Sequence, residues 1–305
     1  MGRPMVTNMA NKLPEGSKIH VHDVVASLVQ ETSADFPTKV VRCSSAKEVS
    51  QKSDIVLTML PEGSHVRSVY LDAQTGICAT DVSHKLLVDS STIDTATSLQ
   101  VKDHICKQYP SASFYDAPVS GGVIGAVKGT IAFFLGSAAD DANLPLLREL
   151  LGTMGKGVIA CGGPSLGLSA KLSNNYLSGI ITIATAEAMN MGMRAGIDAK
   201  VLANVFAAGT AQNAICDTFN PVPGVCPDAP SSKGYKGGFR VQLMKKDFSL
   251  AVDMADRVEA RHALGEKGLE TFVGASDDPD CKDLDSRVVY RYLGGEENWQ
   301  KRKAA

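Results

Sequence analysis

A lysine and two asparagines lie close together in "GLSAKLSNN" (Gly167–Asn175), at the start of a long apolar stretch. Lys171 and Asn175 are four residues apart and would share one helix face, with Asn174 beside them. Desolvation lowers the pKa of a lysine towards the working pH, so a partly buried lysine with neutral amide neighbours suits general acid–base catalysis. The usual alternative is a solvated lysine whose stem covers apolar surface. The apolar surroundings favour the catalytic interpretation.

Two further polar clusters follow predicted strands. "DSSTID" (Asp89–Asp94) contains two serines and a threonine, which could bind a ligand. Alternatively, the cluster is the start of a helix whose N-cap is Asp94 or Thr92. "DAPVSGG" (Asp116–Gly122) breaks a strand at Pro118 and then offers a serine and two glycines. Successive backbone amides there could bind a carboxylate. A plain turn explains the second cluster equally well.

The first residues have the spacing of part of a dinucleotide site. Gly2 precedes Asp23 by 21 positions, and in such sites a glycine-rich turn contacts the pyrophosphate while an acid about 20 positions later binds the ribose. A carboxylate there favours NAD, because it would repel the 2′-phosphate of NADP. A solvated strand-end carboxylate is an equally good interpretation of Asp23.

"TMLPEGSHV" (Thr58–Val66) ends another predicted strand, and a turn before a helix is the preferred interpretation there.

Short apolar runs alternate with helix-compatible stretches through the first half of the chain. This alternation predicts βαβ units and a mainly parallel sheet. The predicted strands are Lys18–Asp23, Lys39–Cys43, Asp54–Leu60, Leu86–Asp89, Ala112–Val119, Thr130–Gly136 and Gly157–Cys161. Helices are predicted between some of them, at Ser45–Gln51 and Asp94–Gln108.

The pattern changes after "CGGPSLG" (Cys161–Gly167). The next segment has no proline and is apolar on all sides, which predicts one long buried helix. We therefore expect an α/β domain over residues 1–163 and a helical domain over residues 164–305. The predicted helices of the second domain are Ser169–Ala195, Ala199–Ala208, Leu243–Val258 and Ser286–Leu293.

Composition excludes several classes of partner. The net charge is −2 and no basic block stands out, which argues against nucleic acid and anionic membranes. The most apolar stretch carries Asn174, Asn175, Glu187 and Asn190, so a membrane span is not expected. The seven cysteines are scattered without a CxxC pair, which predicts reduced thiols in an intracellular compartment and no metal site.

Taken together, these stretches resemble the β-hydroxyacid dehydrogenase family. Eight motifs occur in the family's order between Met1 and about Ala251, with a weaker match in "DLDSRVVYRYL". They are "MGRPMVTNM", "DIVLTMLP", "LVDSSTID", "FYDAPVSGGVIGAVKGTIAFFLG", "LSAKLSNN", "TAEAMNMGMRAGID", "NPVPGV" and "YKGGF…LMKKDFSLA". "NPVPGV" and "YKGGF" resemble the branch that acts on 3-hydroxyisobutyrate. The resemblance therefore implies NAD-dependent oxidation of 3-hydroxyisobutyrate to methylmalonate semialdehyde, a step of valine breakdown.

The resemblance also implies residue roles. Lys171 would accept the proton of the substrate hydroxyl, Asn175 would hold the substrate, and Asn174 and Asp247 would support the site. The residues implied to bind the substrate carboxylate are Ser91, Ser120, Gly121 and Gly122. The residues implied to contact NAD are Gly2, Asp23, Leu60, Pro61, His65, Thr92 and Lys246.

The fold implied by the resemblance is a Rossmann-like domain linked by a long helix to an all-helical domain. Dimers or tetramers are usual in the family, and eukaryotic members are usually mitochondrial; a cytoplasmic location is expected otherwise. The family begins with a strand and a G-x-G-x-x-G turn, of which "MGRPM" matches only the end. We therefore expect a sheet without its first strand, and a longer natural start. Ser165 stands where relatives often have glycine.

Two alternative functions remain open at this stage. One is a related dehydrogenase that acts on a different short β-hydroxyacid. The other is a remnant with weak NAD binding and little activity, an alternative based on the absent first strand. Kinetics on a panel of hydroxyacids would distinguish the first alternative from a 3-hydroxyisobutyrate dehydrogenase. Titration with NAD would test the second alternative.

Overall fold

The structure is a computed structural model in which residues 1–300 are described. The chain divides into two compact units, Met1–Lys171 and a second unit that begins at Leu172. One helix, α8 (Leu166–Arg194), begins in the first unit and continues in the second. The predicted boundary after residue 163 lies just before this helix and stays a prediction.

The first unit contains short strands in the predicted places. Their bounds are β1 Ile19–Val21, β2 Val40–Arg42, β3 Ile55–Thr58, β4 Leu86–Asp89, β5 Ser113–Asp116, β6 Val119–Ser120, β7 Ile131–Leu135 and β8 Gly155–Ala160. The prediction of one strand over Ala112–Val119 was wrong. That segment is divided into β5 and β6, because Pro118 has no N–H group to continue the ladder.

Seven helices precede α8 along the chain. They are α1 Gly2–Lys12, α2 Ala26–Asp35, α3 Ala46–Gln51, α4 Gly63–Leu71, α5 Thr95–Gln108, α6 Gly122–Lys128 and α7 Leu144–Gly152. The predictions of α3 and α5 are confirmed, and each begins one residue late because the preceding side chain is the N-cap. Ser45 accepts a hydrogen bond from the Glu48 amide and Asp94 accepts one from the Thr97 amide.

The strands β3, β4 and β5 form a parallel sheet in the order β3-β4-β5. The chain then turns back through β6, which pairs antiparallel with β7, and β7 pairs parallel with β8. The Gly136 amide at the end of β7 donates to the Asp116 carbonyl at the end of β5 over 2.7 Å. The ends of β5 and β7 are therefore joined by the backbone, and the prediction of a mainly parallel sheet is confirmed.

The strands β1 and β2 form a separate parallel pair. Within residues 1–300, neither β1 nor β3 pairs with another strand along its second edge. In a doubly wound sheet the first strand lies between the strands that correspond to β1 and β3. This topology agrees with the expected Rossmann-like sheet without its first strand.

Helices cover the sheet β3-β4-β5 on both faces. In β4, Leu87 packs into one buried cluster and the next residue, Val88, packs into another. Successive residues of a strand point to opposite faces, so both clusters lie against the same sheet. Burial on two faces is typical of parallel sheets, and it leaves the carboxyl ends of the strands as the place for polar groups.

The second unit is helical, as predicted. After α8 its helices are α9 Ala199–Ala208, α10 Ala214–Thr218, α11 Val241–Arg257, α12 Gly265–Asp277 and α13 Val289–Tyr292, with 3₁₀ turns at Pro230–Lys233 and Ser286–Val288. The predicted helix Ser286–Leu293 therefore starts as a 3₁₀ turn. The core contains Phe248, whose ring stacks on Tyr176 with centroids 5.0 Å apart.

Two sequence predictions concern the chain as a whole. All seven cysteines are free thiols, which matches the expectation of reduced cysteines. Over residues 1–300, every helix is too short or too polar to cross a bilayer.

The first turn of α8 lies very close to the ends of β5 and β7. A Cβ atom added at Gly167 would overlap the Phe134 carbonyl oxygen and would lie 2.8 Å from both Asp116 Oδ2 and the Gly136 amide nitrogen. Only glycine fits there without moving the helix. The position of α8 relative to the strand ends is thus determined by direct backbone contact.

We predict that Gly167→Ala lowers the free energy of unfolding by at least about 2 kcal/mol, as overpacking in a tight interior does. The usual preference of helices for alanine over glycine, about 1 kcal/mol, would be overridden. Gly163→Ala is the control, because no atom lies within 4 Å of its added Cβ. Urea unfolding of both variants measures the difference, and equal stabilities would show that α8 is free to shift.

Candidate active site

Three polar residues form a row at the carboxyl ends of β3, β4 and β5. The strand register pairs Thr58 with Asp89 and Asp89 with Asp116. Both carboxylates are buried, with 1% and 2% of their surface exposed. Ligands of open α/β sheets bind outside the carboxyl ends of the strands, so this row lies where a site is expected.

Ser91 links this row to the loop after β3. Its hydroxyl donates to Asp89 Oδ1 over 2.6 Å and accepts a hydrogen bond from the Leu60 amide over 2.8 Å. Two of the predicted site residues are therefore brought together by a direct bond. Ser91 is fully buried, and Leu60 is half-buried.

Asp89 is a carboxyl group in an apolar interior. Its Oδ1 accepts hydrogen bonds from Thr58, Ser91 and the Ser91 amide. Its Oδ2 has no hydrogen-bond partner among the described residues. Burial raises the pKa of Asp89 to about 6, and the neighbouring Asp116 carboxylate acts in the same direction. The protonated form is thus strongly favoured relative to an exposed aspartate.

Asp116 binds the start of α8. Its Oδ1 accepts a hydrogen bond from the Ser165 amide at 2.7 Å, and its Oδ2 accepts one from the Leu168 amide at 2.8 Å. Burial raises the pKa of Asp116, while hydrogen bonds from backbone amides oppose that shift. Asp116 was not predicted as a site residue. The sequence feature that could have indicated it is an acidic residue at the end of a strand, two residues before Pro118.

Ser165 occupies a conformation that favours glycine. Its φ of 65° lies in the left-handed region, which glycine adopts with less strain than serine. The strain is compatible with the fold because the Ser165 amide is bonded to Asp116 and its hydroxyl donates to the Thr95 carbonyl at 3.3 Å.

Lys171 lies in the second turn of α8, three residues after Leu168. It is buried, with 7% of its surface exposed. The prediction of a buried rather than a solvated lysine on this apolar helix is therefore confirmed. A buried lysine is uncommon, and its position follows directly from the anchored first turn.

Three of the four predicted carboxylate-binding residues lie in a sharp turn between β6 and α6, while Ser91 lies in the loop between β4 and α5. Ser120 ends β6, and Gly121 and Gly122 follow with φ angles of 126° and 61°. Side chains at these two positions would be strained, so the turn requires the two glycines. The backbone at this turn can approach a ligand closely.

The predicted cofactor residues of the first unit lie at five places. Leu60 and Pro61 follow β3, and His65 is an exposed residue in the first turns of α4. Thr92 is half-buried in the loop between β4 and α5. Gly2 is the first residue of α1, and Asp23 follows β1.

The residues near Gly2 and Asp23 fit part of a dinucleotide. No atom lies within 4 Å of a Cβ added at Gly2, and no side chain among the described residues caps α1. Its first amides therefore suit a phosphate group. The exposed Asp23 uses Oδ1 to accept a hydrogen bond from the Val25 amide at 2.8 Å, and a carboxylate at this strand end suits a ribose.

In the second unit, an asparagine is fixed by a buried carboxylate. Asn175 Nδ2 donates to Asp247 Oδ2 over 2.6 Å, and both residues are buried. Lys246 Nζ lies 3.2 Å from Asp247 Oδ1. The exposed Asn174 donates to Asn175 Oδ1 over 3.1 Å. These four predicted residues therefore form one network, in which Asp247 orients the amide of Asn175.

Comparison with known proteins identifies the family. Residues 1–163 match the family described as the NAD binding domain of 6-phosphogluconate dehydrogenase. Residues 166–293 match the family described as the NAD-binding domain of NADP-dependent 3-hydroxyisobutyrate dehydrogenase. A mitochondrial 3-hydroxyisobutyrate dehydrogenase of Mus musculus is 38% identical over 298 residues, which cover 97% of this chain and 85% of the mouse protein. The chain belongs to the β-hydroxyacid dehydrogenase family.

Relatives in this family differ in their named substrate. An NAD-dependent L-serine dehydrogenase of Pseudomonas aeruginosa is 35% identical, over 89% of this chain and 88% of that protein. A solved structure of Mycobacterium tuberculosis 3-hydroxyisobutyrate dehydrogenase with L-serine has a TM-score of 0.87 and 32% identity, and the match covers 96% and 95% of the two chains. The chain is therefore an NAD(P)-binding oxidoreductase of the type that acts on β-hydroxyacids.

We predict that Asp89→Asn changes how stability depends on pH. The folded-state pKa of Asp89, about 6, is raised above the ordinary value of 3.8. The native state therefore binds the proton more tightly than the unfolded chain, and this stabilisation is lost as the pH rises from about 4 through 6. A shift of about two units corresponds to about 3 kcal/mol.

Asparagine resembles the protonated form and does not ionise. The free energy of unfolding of Asp89→Asn relative to the natural protein should therefore increase between pH 4 and pH 8. Chemical unfolding at both pH values measures this change. A difference that is the same at both values would contradict the assigned burial of the Asp89 charge.

Proposed function

We propose that this protein oxidises 3-hydroxyisobutyrate to methylmalonate semialdehyde with NAD, and that Lys171 is the general base. The observation that carries this proposal is a buried lysine one helical turn before a buried asparagine on α8. Residues at this spacing share a helix face. Family membership makes a short β-hydroxyacid the expected substrate class.

The chemistry requires that two hydrogens leave the substrate. The hydroxyl proton moves to the neutral Nζ of Lys171 as the C–O bond gains double-bond character. NAD, when bound, would supply the acceptor for the hydride that leaves the carbinol carbon; the residues proposed to hold it are Gly2, Asp23, Leu60, Pro61, His65, Thr92 and Lys246. Lys171 then carries the proton until solvent removes it, so charge and atoms balance.

The substrate would be oriented by polar groups whose positions are held by the fold. Ser91, Ser120, Gly121 and Gly122 would bind the carboxylate. The Ser91 hydroxyl would exchange its hydrogen bond to Asp89 for one to the substrate. Asn175 would contact the hydroxyl end, and its amide plane is fixed by Asp247. Groups that are immobile before substrate binds lose little entropy on binding, and positioning of this kind supplies much of the rate in such sites.

The cofactor preference, assembly and location are part of the same proposal. NAD rather than NADP is supported by Asp23, whose carboxylate would repel a 2′-phosphate. A homodimer or homotetramer and a mitochondrial location are proposed from the family, in which the mouse relative is named mitochondrial.

We predict that Lys171→Ala lowers kcat by at least about 10²-fold, the low end for loss of a general acid–base group. Lys107→Ala is the control, because Lys107 is an exposed lysine in the last turn of α5. Steady-state kinetics with 3-hydroxyisobutyrate and NAD measures both variants. Near-normal turnover by Lys171→Ala would refute the assigned mechanism.

We predict the highest kcat/KM for 3-hydroxyisobutyrate with NAD within a panel that contains 3-hydroxyisobutyrate, L-serine and 3-hydroxypropionate, each with NAD and NADP. A higher kcat/KM for L-serine would assign the protein to the serine-oxidising type instead. Absence of turnover with every pair, together with weak NAD binding in calorimetry, would support the non-catalytic alternative.

A further inference from the structure

A buried carboxylate outside the proposed substrate and cofactor contacts binds the first turn of the helix that carries Lys171. Asp116 ends β5 and is 2% exposed. Its two oxygens accept hydrogen bonds from the amides of Ser165 and Leu168. The carboxylate therefore satisfies amides at the start of α8 that have no partner within the helix.

Other contacts hold both Asp116 and the first turn of α8 in place. Asp116 is held by the sheet, since its carbonyl accepts from the Gly136 amide and its strand pairs with β4. Gly167 and Gly136 are crowded by the same carboxylate, so that a Cβ at either position would contact it. The first turn of α8 thus has little freedom to slide or rotate.

Leu168 and Lys171 are three residues apart on this helix, a rise of about 4.5 Å. A shift of the first turn therefore moves Lys171 by a similar amount. Misplacement of a catalytic group by about 1 Å can cost about 10²-fold in rate.

We propose that Asp116 is a positioning residue, which fixes the start of α8 and thereby places the Lys171 amine for proton transfer. This inference rests on the proposed role of Lys171 as the general base. It goes beyond that role in assigning a function to a buried carboxylate that is not among the residues proposed to bind substrate or cofactor.

The test is a double-mutant cycle of Asp116→Ala and Lys171→Ala, measured as kcat and KM with 3-hydroxyisobutyrate. We expect Asp116→Ala alone to lower kcat by about 10²-fold with little change in KM. In the Lys171→Ala background, the same substitution should cause almost no further loss, because residues that act through one another are not additive. A merely structural residue would give the same fold-loss in both backgrounds.

Asp198→Ala is the matched control, because Asp198 also accepts hydrogen bonds from two amides at a helix start, in α9. It should lower thermal stability as Asp116→Ala does and leave kcat unchanged.

Asp116→Asn keeps one acceptor oxygen, so its kcat should lie between that of the natural protein and that of Asp116→Ala. It is the second variant to test if the alanine form does not fold. Hydrogen exchange should show lost protection of the Ser165 and Leu168 amides.

The outcomes separate the two proposals. Normal kcat in Asp116→Ala with an inactive Lys171→Ala would overturn only the positioning role. Normal kcat in Lys171→Ala would overturn the proposed mechanism, and a loss confined to Asp116→Ala would then show that Asp116 acts independently of Lys171. Equal losses in both backgrounds would also overturn the positioning role.

Discussion

The contact between the Asp116 carboxylate and the first turn of α8 is the interaction on which the proposed site depends. It joins the carboxyl end of β5, a strand that pairs with β4, to the helix that carries the proposed base. Burial of an unpaired charge costs several kcal/mol, and the two amide hydrogen bonds to Asp116 offset part of that cost. The sheet and the helix therefore stabilise each other through one residue.

The parallel register explains why this interaction coincides with the site. Parallel strands end at one edge, so Thr58, Asp89 and Asp116 form a row there. The row supports Ser91, and through Ser91 the backbone of Leu60. Burial raises the pKa of both carboxyl groups, and the Asp116 carboxylate raises the pKa of Asp89 further.

Much of the fold was predictable because its signals are local. Alternation of apolar runs with capped helices located the strands, and the apolar, proline-free stretch after Gly167 located α8. The break at Pro118 was visible, but its result, a chain reversal into β6, depends on the pairing of Val119 with Phe133 of β7, 14 residues later. Short helices such as α6 and α7 were not predicted, because packing on the sheet stabilises them more than their own sequence does.

Less of the site than of the fold could be predicted from the sequence alone. Lys171 and Asn175 are neighbours by helix spacing, so sequence alone paired them. The bonds from Asn175 to Asp247, 72 residues away, and from Ser91 to Leu60, 31 residues away, needed either the fold or the family resemblance. Asp116 was missed because its partners are backbone amides near residue 165, and an amide leaves no trace in side-chain patterns.

Chemical rescue of Lys171→Ala is the most direct test of the central claim, that Lys171 removes the substrate proton. The measurement is the rate of NADH formation from 3-hydroxyisobutyrate with increasing concentrations of small primary amines at fixed pH. The account predicts that the rate rises with amine concentration and depends on the pKa of the amine, as general base catalysis requires. A folded variant that binds NAD and stays inactive at every amine concentration, or one that is fully active without amine, would contradict it.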